Sequence, residues 1–157
     1  PGGFLNSPEH PRRVIDRFRN EYSFLSNFHP CSVVIHGWTF PSAEHAFQAM
    51  KAVRPAEWWP RFTSSAMPAA DAKRLGRSMP LRADWESVKS AFMLAIVLDK
   101  FERHSSLRYA LCDTDPIPLE EGNDWGDHVW GTVDGVGENR LGKILMDVRG
   151  RLWQPPF

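Results

Sequence analysis

Hydrophobic and polar positions change period several times along the chain, and each change marks an element. Ser32-Val-Val-Ile35 and Trp38-Thr-Phe40 are short β-branched and aromatic runs on either side of His36-Gly37. That arrangement predicts a β-hairpin with a glycine-bearing turn. From Pro41 the period becomes helical: Ala43, Ala46, Phe47 and Met50 form one apolar stripe of a helix over 43–53, with Ser42 as its N-cap. A second helix is expected from Pro68, a good first-turn residue, to a stop at Gly76. The longest helix starts after an Asp84 cap and runs to Arg103, with Val88, Phe92, Ala95 and Leu98 as its core face. A short helix over 106–112 follows, and a last one over 138–151 turns Leu141, Ile144, Leu145 and Val148 inward. The fold class is therefore α+β: a mostly helical single domain with a small antiparallel sheet.

One stretch breaks the pattern. From Asp113 to Glu138 the chain carries eight acidic residues and neither Lys nor Arg, and it holds Trp125 and Trp130 without helical periodicity. A long irregular segment inside a compact domain points to function. A length of 157 residues suits one domain, and we expect a loose arm over 1–13 and the domain over 14–157. Residues 1–7 lack the charged, apolar and cleavage regions of a signal peptide. The longest apolar run, Phe92 to Leu98, is seven residues, against the ~20 that a spanning helix needs; no membrane partner is expected. The 19 basic and 19 acidic residues balance, which excludes a broadly basic nucleic-acid coat but leaves room for a local phosphate site. Cys31 and Cys112 lie far apart without ligand spacing, which reads as a reduced, cytoplasmic protein. The six histidines are scattered, and no Walker loop, Gly-x-Gly-x-x-Gly or Gly-x-Ser-x-Gly occurs. Neither a metal nor a cofactor is called for.

Four features can carry chemistry, and each has a plainer reading beside it. Glu44, Gln48 and Lys51 stand at i, i+4 and i+7 and share a face beside the apolar stripe. They are either a solvated helix face or an acid–base group beside a desolvated lysine. Trp85, at a helix start, either packs against a neighbouring helix or offers its ring to a base. Asn123-Asp-Trp-Gly-Asp127 is either a self-capping Asx turn or a carboxylate and ring placed against a sugar. Gly135-Val-Gly-Glu-Asn-Arg140 opens a helix and either holds an anion on its backbone N–H groups or serves as a flexible entry.

Several segments together resemble the NADAR family of YbiA-like N-glycosidases. They are Phe24-Leu-Ser-Asn-Phe28, Trp38-Thr-Phe-Pro-Ser-Ala-Glu-His-Ala-Phe-Gln-Ala-Met-Lys51, Gly76-Arg77, Leu81-Arg-Ala-Asp-Trp-Glu-Ser-Val-Lys89, Lys100-Phe101, Asn123-Asp-Trp-Gly-Asp127 and Gly137-Glu-Asn-Arg-Leu-Gly142. The resemblance spans about Val14 to Leu152 in the family's order and departs from it at His128, where the family often has Gly. It implies an α+β fold and cleavage of N-glycosidic bonds of ribosylated bases, without cofactor. Glu44, Trp85 and Asp127 match positions tied to activity, and Lys51 matches a lysine proposed to form a Schiff base with the opened ribose. Ser26, Asn27, Phe28, Gln48, Trp85, Asn123, Trp125, Asn139, Arg140 and Arg17 are the expected substrate-binding residues. Phosphate is assigned to Arg17, Arg140 or the Gly137 helix entry. The expected reaction is removal of ADP-ribose from ADP-ribosylated guanine, as guanosine or in single-stranded DNA. The alternatives are hydrolysis of ribosylamino-pyrimidine intermediates of riboflavin synthesis and a non-enzymatic ADP-ribose- or nucleotide-binding module.

Overall fold

The computed structural model describes residues 13–153. The arm expected over 1–13 therefore lies outside the described residues except for Arg13. A 3₁₀ turn at Asn20–Leu25 leads into the hairpin of β1, Pro30–Ile35, and β2, Trp38–Ser42. The strands pair antiparallel in the register Val33–Phe40, Val34–Thr39 and Ile35–Trp38. Both turn residues are left-handed, His36 at φ 50 and Gly37 at φ 76, the twist that a two-residue hairpin turn requires.

Helix α1, Ala43–Met50, begins where β2 ends, and all eight of its residues are buried. Ser42 closes the strand and caps the helix, its Oγ accepting the His45 N–H at 3.2 Å. The carbonyl of Met67 can only accept, so His45 Nε2 donates to it at 2.8 Å. Nδ1 then accepts the Ser42 hydroxyl at 2.6 Å. Burial lowers the His45 pKa, keeping the ring neutral as this network demands. The Ser-x-Glu-His block thus ties strand, helix and the 63–67 segment into one unit.

Helices α2, Pro55–Trp58, and α3, Ala69–Ser78, follow, with a 3₁₀ turn at Trp59–Phe62 between them. The hydropathy pattern does not mark 55–62, a stretch started twice by proline. Trp59 Nε1 donates at 3.0 Å to the Ala49 carbonyl at the end of α1, which also accepts the Ala52 N–H at 3.1 Å. Gly76 does not stop α3; it lies inside the helix, buried against α1.

Helix α4, Trp85–Arg103, has the expected limits, but its core face is rotated. Trp85, Lys89, Met93, Ile96, Val97, Lys100 and Phe101 are buried, Val88, Phe92 and Leu98 are half-buried, and Ala95 is exposed. Two lysines hid the true stripe. Lys100 Nζ donates to the Ser26 carbonyl at 2.9 Å, and burial pushes its pKa down to about 8. Asp84 precedes α4 without a side-chain cap, its carboxylate pairing with Arg82 instead. Helices α5, Ser105–Asp113, and α6, Arg140–Leu152, complete the order. On α6, Leu141, Leu145 and Val148 are buried and Ile144 is half-buried. Residues 114–139 form no helix and are tied down by isolated bridges, Ile15–Leu119 and Gly122–Thr132.

Candidate active site

A cavity of about 540 Å³ opens between α1, α3, the 26–28 segment and the acidic segment, within the ~300–1,000 Å³ range of small-molecule sites. Three kinds of group line it: the carboxyls of Glu44, Glu121 and Asp127, the cations Lys51, Lys73, Arg74 and Arg77, and the rings of Phe28, Phe47, Trp125 and Trp130.

Glu44 is in the first turn of α1, its N–H bonded to the Asn27 carbonyl at 3.0 Å, which joins the 26–28 segment to the helix. One turn later Gln48 Nε2 donates to Glu44 Oε1 at 2.8 Å. Burial raises the Glu44 pKa; the Gln48 donor, Lys73 and Lys51 pull it back, and Asp127 adds to the rise. Lys51 follows the last turn of α1, with its carbonyl accepting the Arg82 N–H at 2.9 Å. Its ammonium stands 5.9 Å from the Phe47 ring centre and 5.8 Å from that of Trp85. Burial lowers the Lys51 pKa; Glu44 opposes the shift, and Arg77, Lys73 and Lys89 reinforce it. Glu44, Gln48 and Lys51 therefore form a desolvated face rather than a solvated one.

Gln48 also explains Gly76. A Cβ at Gly76 would stand 2.0 Å from Gln48 Oε1, so any side chain there must push the Gln48 amide aside. In an ordinary helix interior Gly→Ala stabilises by about 1 kcal/mol. Here Gly76→Ala is expected to reverse that sign, lowering stability by about 1–3 kcal/mol through overpacking. Urea denaturation reads the sign directly, and an unchanged or raised midpoint would mean that Gln48 yields freely.

Asp127 closes a loop built by Asn123. Asn123 Oδ1 accepts the N–H groups of Trp125 at 3.3 Å and Asp127 at 3.0 Å, and its Nδ2 donates to the Asp127 carbonyl at 2.9 Å. Asp127 Oδ1 in turn accepts the N–H groups of Val129 at 3.0 Å and Trp130 at 2.9 Å. Asn123 and Asp127 therefore each cap the backbone that follows, as the Asx-turn reading expects, and Asp127 also lines the cavity.

The cavity brings together Glu44, Lys51, Asp127, Ser26, Asn27, Phe28, Gln48 and Trp125. Five expected residues lie elsewhere. Trp85 is buried behind Lys51, 5.0 Å from the Phe47 ring, and is no open plate. Asn123 is buried inside the loop it builds. Asn139, left-handed at φ 50, accepts the Glu121 N–H and donates to the Leu119 carbonyl, each at 3.0 Å. Arg140 binds Glu138 and Ser90, and Arg17 pairs with the exposed Asp124 at 3.2 Å. At the Gly137 helix entry four successive N–H groups are already taken. Glu138, Asn139, Arg140 and Leu141 already donate to the carbonyls of His128, Gly131, Val129 and Trp130.

Sequence reasoning missed Glu121, Lys73, Arg74, Arg77 and Trp130. Lys73 and Arg77, at i and i+4 on α3, had a readable signal in their shared face. Glu121 and Trp130 had none, because an irregular segment has no period to show which side chains turn inward. Among the described residues neither Lys73 nor Arg77 joins an ion pair. Lys73 Nζ instead stands 6.0 Å from the Phe28 ring centre and 5.4 Å from that of Trp125. No helix of the described residues is long and apolar enough to cross a membrane.

A helical domain with a single hairpin, holding carboxyls, a lysine and cations around one cavity, has known counterparts. The NADAR domain family model matches residues 15–153, and the chain belongs to that family. It is 41% identical over 135 residues to the N-glycosidase YbiA of Escherichia coli K12, covering 85% of this chain and 83% of that one. It is 40% identical over 136 residues to a riboflavin biosynthesis protein of Vibrio vulnificus, covering 83% of this chain but 36% of that longer protein. The NMR structure of Escherichia coli YbiA superposes with a TM-score of 0.78 at 36% identity, covering 91% of this chain and 87% of that one. The α+β fold is shared with it.

Proposed function

We propose that this protein is an N-glycosidase that hydrolyses the bond between ribose C1 and a base nitrogen, releasing ADP-ribose from ADP-ribosylated guanine, free or in single-stranded DNA. The observation that carries the reading is the face of α3. Lys73, Arg74 and Arg77 look into the same cavity as the three carboxyls, and two of these cations lack a carboxylate partner. Such a rim suits a phosphorylated sugar, since cations that join no ion pair favour an anionic ligand. The exposed rings of Phe28 and Trp125 suit a stacked base. Glu44 and Asp127 suit the positive charge that develops on the sugar as the bond breaks. A module that only bound its ligand would have no use for a desolvated lysine beside these acids.

A second substrate shares this chemistry. The riboflavin-pathway name of the Vibrio relative favours a ribosylamino-pyrimidine phosphate. Mass-spectrometric product analysis with ADP-ribosylated guanosine and with the ribosylamino-pyrimidine phosphate ranks the two by kcat/KM, and failure to cleave either removes the N-glycosidase reading. Arg77→Ala is expected to raise KM for the preferred substrate about tenfold or more, the scale of one charge-assisted hydrogen bond at about 1.5–3 kcal/mol. kcat should change little, because the phosphate is held alike in ground and transition states. The effect should shrink with added salt. A loss confined to kcat would move Arg77 from substrate binding to the chemical step.

A further inference from the structure

Building on the N-glycosidase reading, we propose that Glu121 is the proton donor to the leaving base nitrogen, because it alone of the three cavity carboxyls keeps an unpartnered, buried oxygen, on a backbone held from several sides.

The backbone around Glu121 is held from several sides. Its N–H donates to Asn139 Oδ1 at 3.0 Å, and its carbonyl accepts the Thr132 N–H at 2.9 Å and Asn123 Nδ2 at 3.4 Å. The next N–H, of Gly122, donates to the Asp16 carbonyl at 3.0 Å. A Cβ at Gly131 would stand 2.0 Å from the Glu121 carbonyl oxygen, so the facing segment must be bare there. Asn123 and Asn139, both expected to touch substrate, instead fix the residue that does the chemistry.

The three carboxyls differ in what they already hold. Glu44 Oε1 accepts the Gln48 amide, and Asp127 Oδ1 accepts two backbone N–H groups. Glu121 Oε2 is buried and has no partner among the described residues. An ionised carboxylate with such an oxygen loses hydration without compensation, whereas the acid form loses far less. The charged groups facing Glu121 are Asp127 from its own segment, Glu44 from α1 and Lys73 from α3; Asn123 and Asn139 are neutral. Burial, then Asp127 and Glu44, push the Glu121 carboxyl up to about 8, with Lys73 pulling back. It therefore carries its proton at neutral pH, as a general acid must.

The step balances. The C1–N bond breaks, its electron pair stays on the base nitrogen, and that nitrogen takes the proton of Glu121. C1 is bonded in the same process to Lys51 Nζ or to water. Water then supplies the hydroxyl that ends on C1 and the proton that restores Glu121. The net change is one water consumed.

The test uses the full chain with ¹³C-carboxyl-labelled glutamate. One Glu Cδ signal should titrate near pH 8, and it should vanish in Glu121→Gln. In steady-state assays with whichever of the two substrates wild type cleaves, Glu121→Gln should lower kcat by about a hundredfold or more and abolish the alkaline limb of the pH profile, with KM nearly unchanged. Glu121→Asp, which keeps a carboxyl, should retain the limb at a reduced rate, and it serves in place of Gln where that variant does not fold. A wild-type signal that vanishes in Glu121→Gln but titrates in the ordinary carboxylate range overturns the proposal, whatever the substrate. So does a Glu121→Gln variant that keeps both the rate and the alkaline limb while wild type cleaves; the N-glycosidase reading then stands. A wild type that cleaves neither substrate overturns both.

Discussion

Lys51→Arg is expected to lose turnover by on the order of a thousandfold or more, the scale of a missing nucleophile, and to form no reducible adduct. The amine attacks C1 and its C1–Nζ bond replaces the bond to the base; the ring C1–O bond then breaks as Nζ gives up a proton, the opened sugar is held as an imine, and water cleaves that imine to free the sugar and the amine. Only the neutral amine has the electron pair for that attack. The site supplies it by burial, reinforced by Arg77, Lys73 and Lys89 against the pull of Glu44. Arginine keeps the charge above Phe47 and Trp85 but cannot form the imine at useful rates. In wild type, borohydride added during turnover should trap the sugar on Lys51, located by peptide mass spectrometry. The acid limb of the wild-type pH profile should belong to Lys51, activity falling as the amine takes up a proton. If Lys51→Arg turns over normally and no adduct forms, Lys51 is electrostatic, and the carboxyls must direct water at C1 themselves.

Glu44→Gln is expected to lower kcat by at least about a hundredfold without unfolding the protein. The fold should tolerate the change because Gln48 has an amide oxygen with no partner, so reversing that amide gives the new side chain an acceptor. The effect on stability has a definite sign. Burial raises the Glu44 pKa in the folded state, so the folded protein holds its proton more tightly than the unfolded chain. Stability must then fall as pH rises from the ordinary carboxylate range through the raised value. Removing the carboxyl removes that loss, and Glu44→Gln should melt at or above the wild-type temperature near pH 8. A variant that is inactive and also unstable there would make Glu44 a structural residue. Stability gained at the expense of rate is the mark of a strained catalytic carboxyl.

Much of the scaffold is legible in the sequence. The hairpin around His36-Gly37, the Ser42 cap, the limits of α4 and the inward face of α6 rest on period and local backbone chemistry, which neighbours in the chain decide. The grouping of Glu44, Gln48 and Lys51 rests on the same helical geometry. Period fails where a polar side chain is buried with a partner far away in sequence. Lys89 and Lys100 disguised the core face of α4, and Lys100 is there because the Ser26 carbonyl, 74 residues earlier, accepts its hydrogen bond. Gly76 looks like a helix stop until Gln48 is placed against it.

The sequence alone determined the elements, the apolar stripes and one polar face of α1, since all three depend on residues within two or three turns of one another. Only the tertiary structure decided whether that face meets water or a cavity, because desolvation comes from other segments closing over it. It brought Lys73 and Arg77 of α3 to the same cavity and hid Trp85 behind Lys51. It tied the N–H groups of Glu138, Asn139, Arg140 and Leu141 at the Gly137 helix entry to the loop before it. It also turned Glu121 inward, where an irregular backbone, held by Asn123, Thr132 and Asn139, sets a direction that no local pattern encodes.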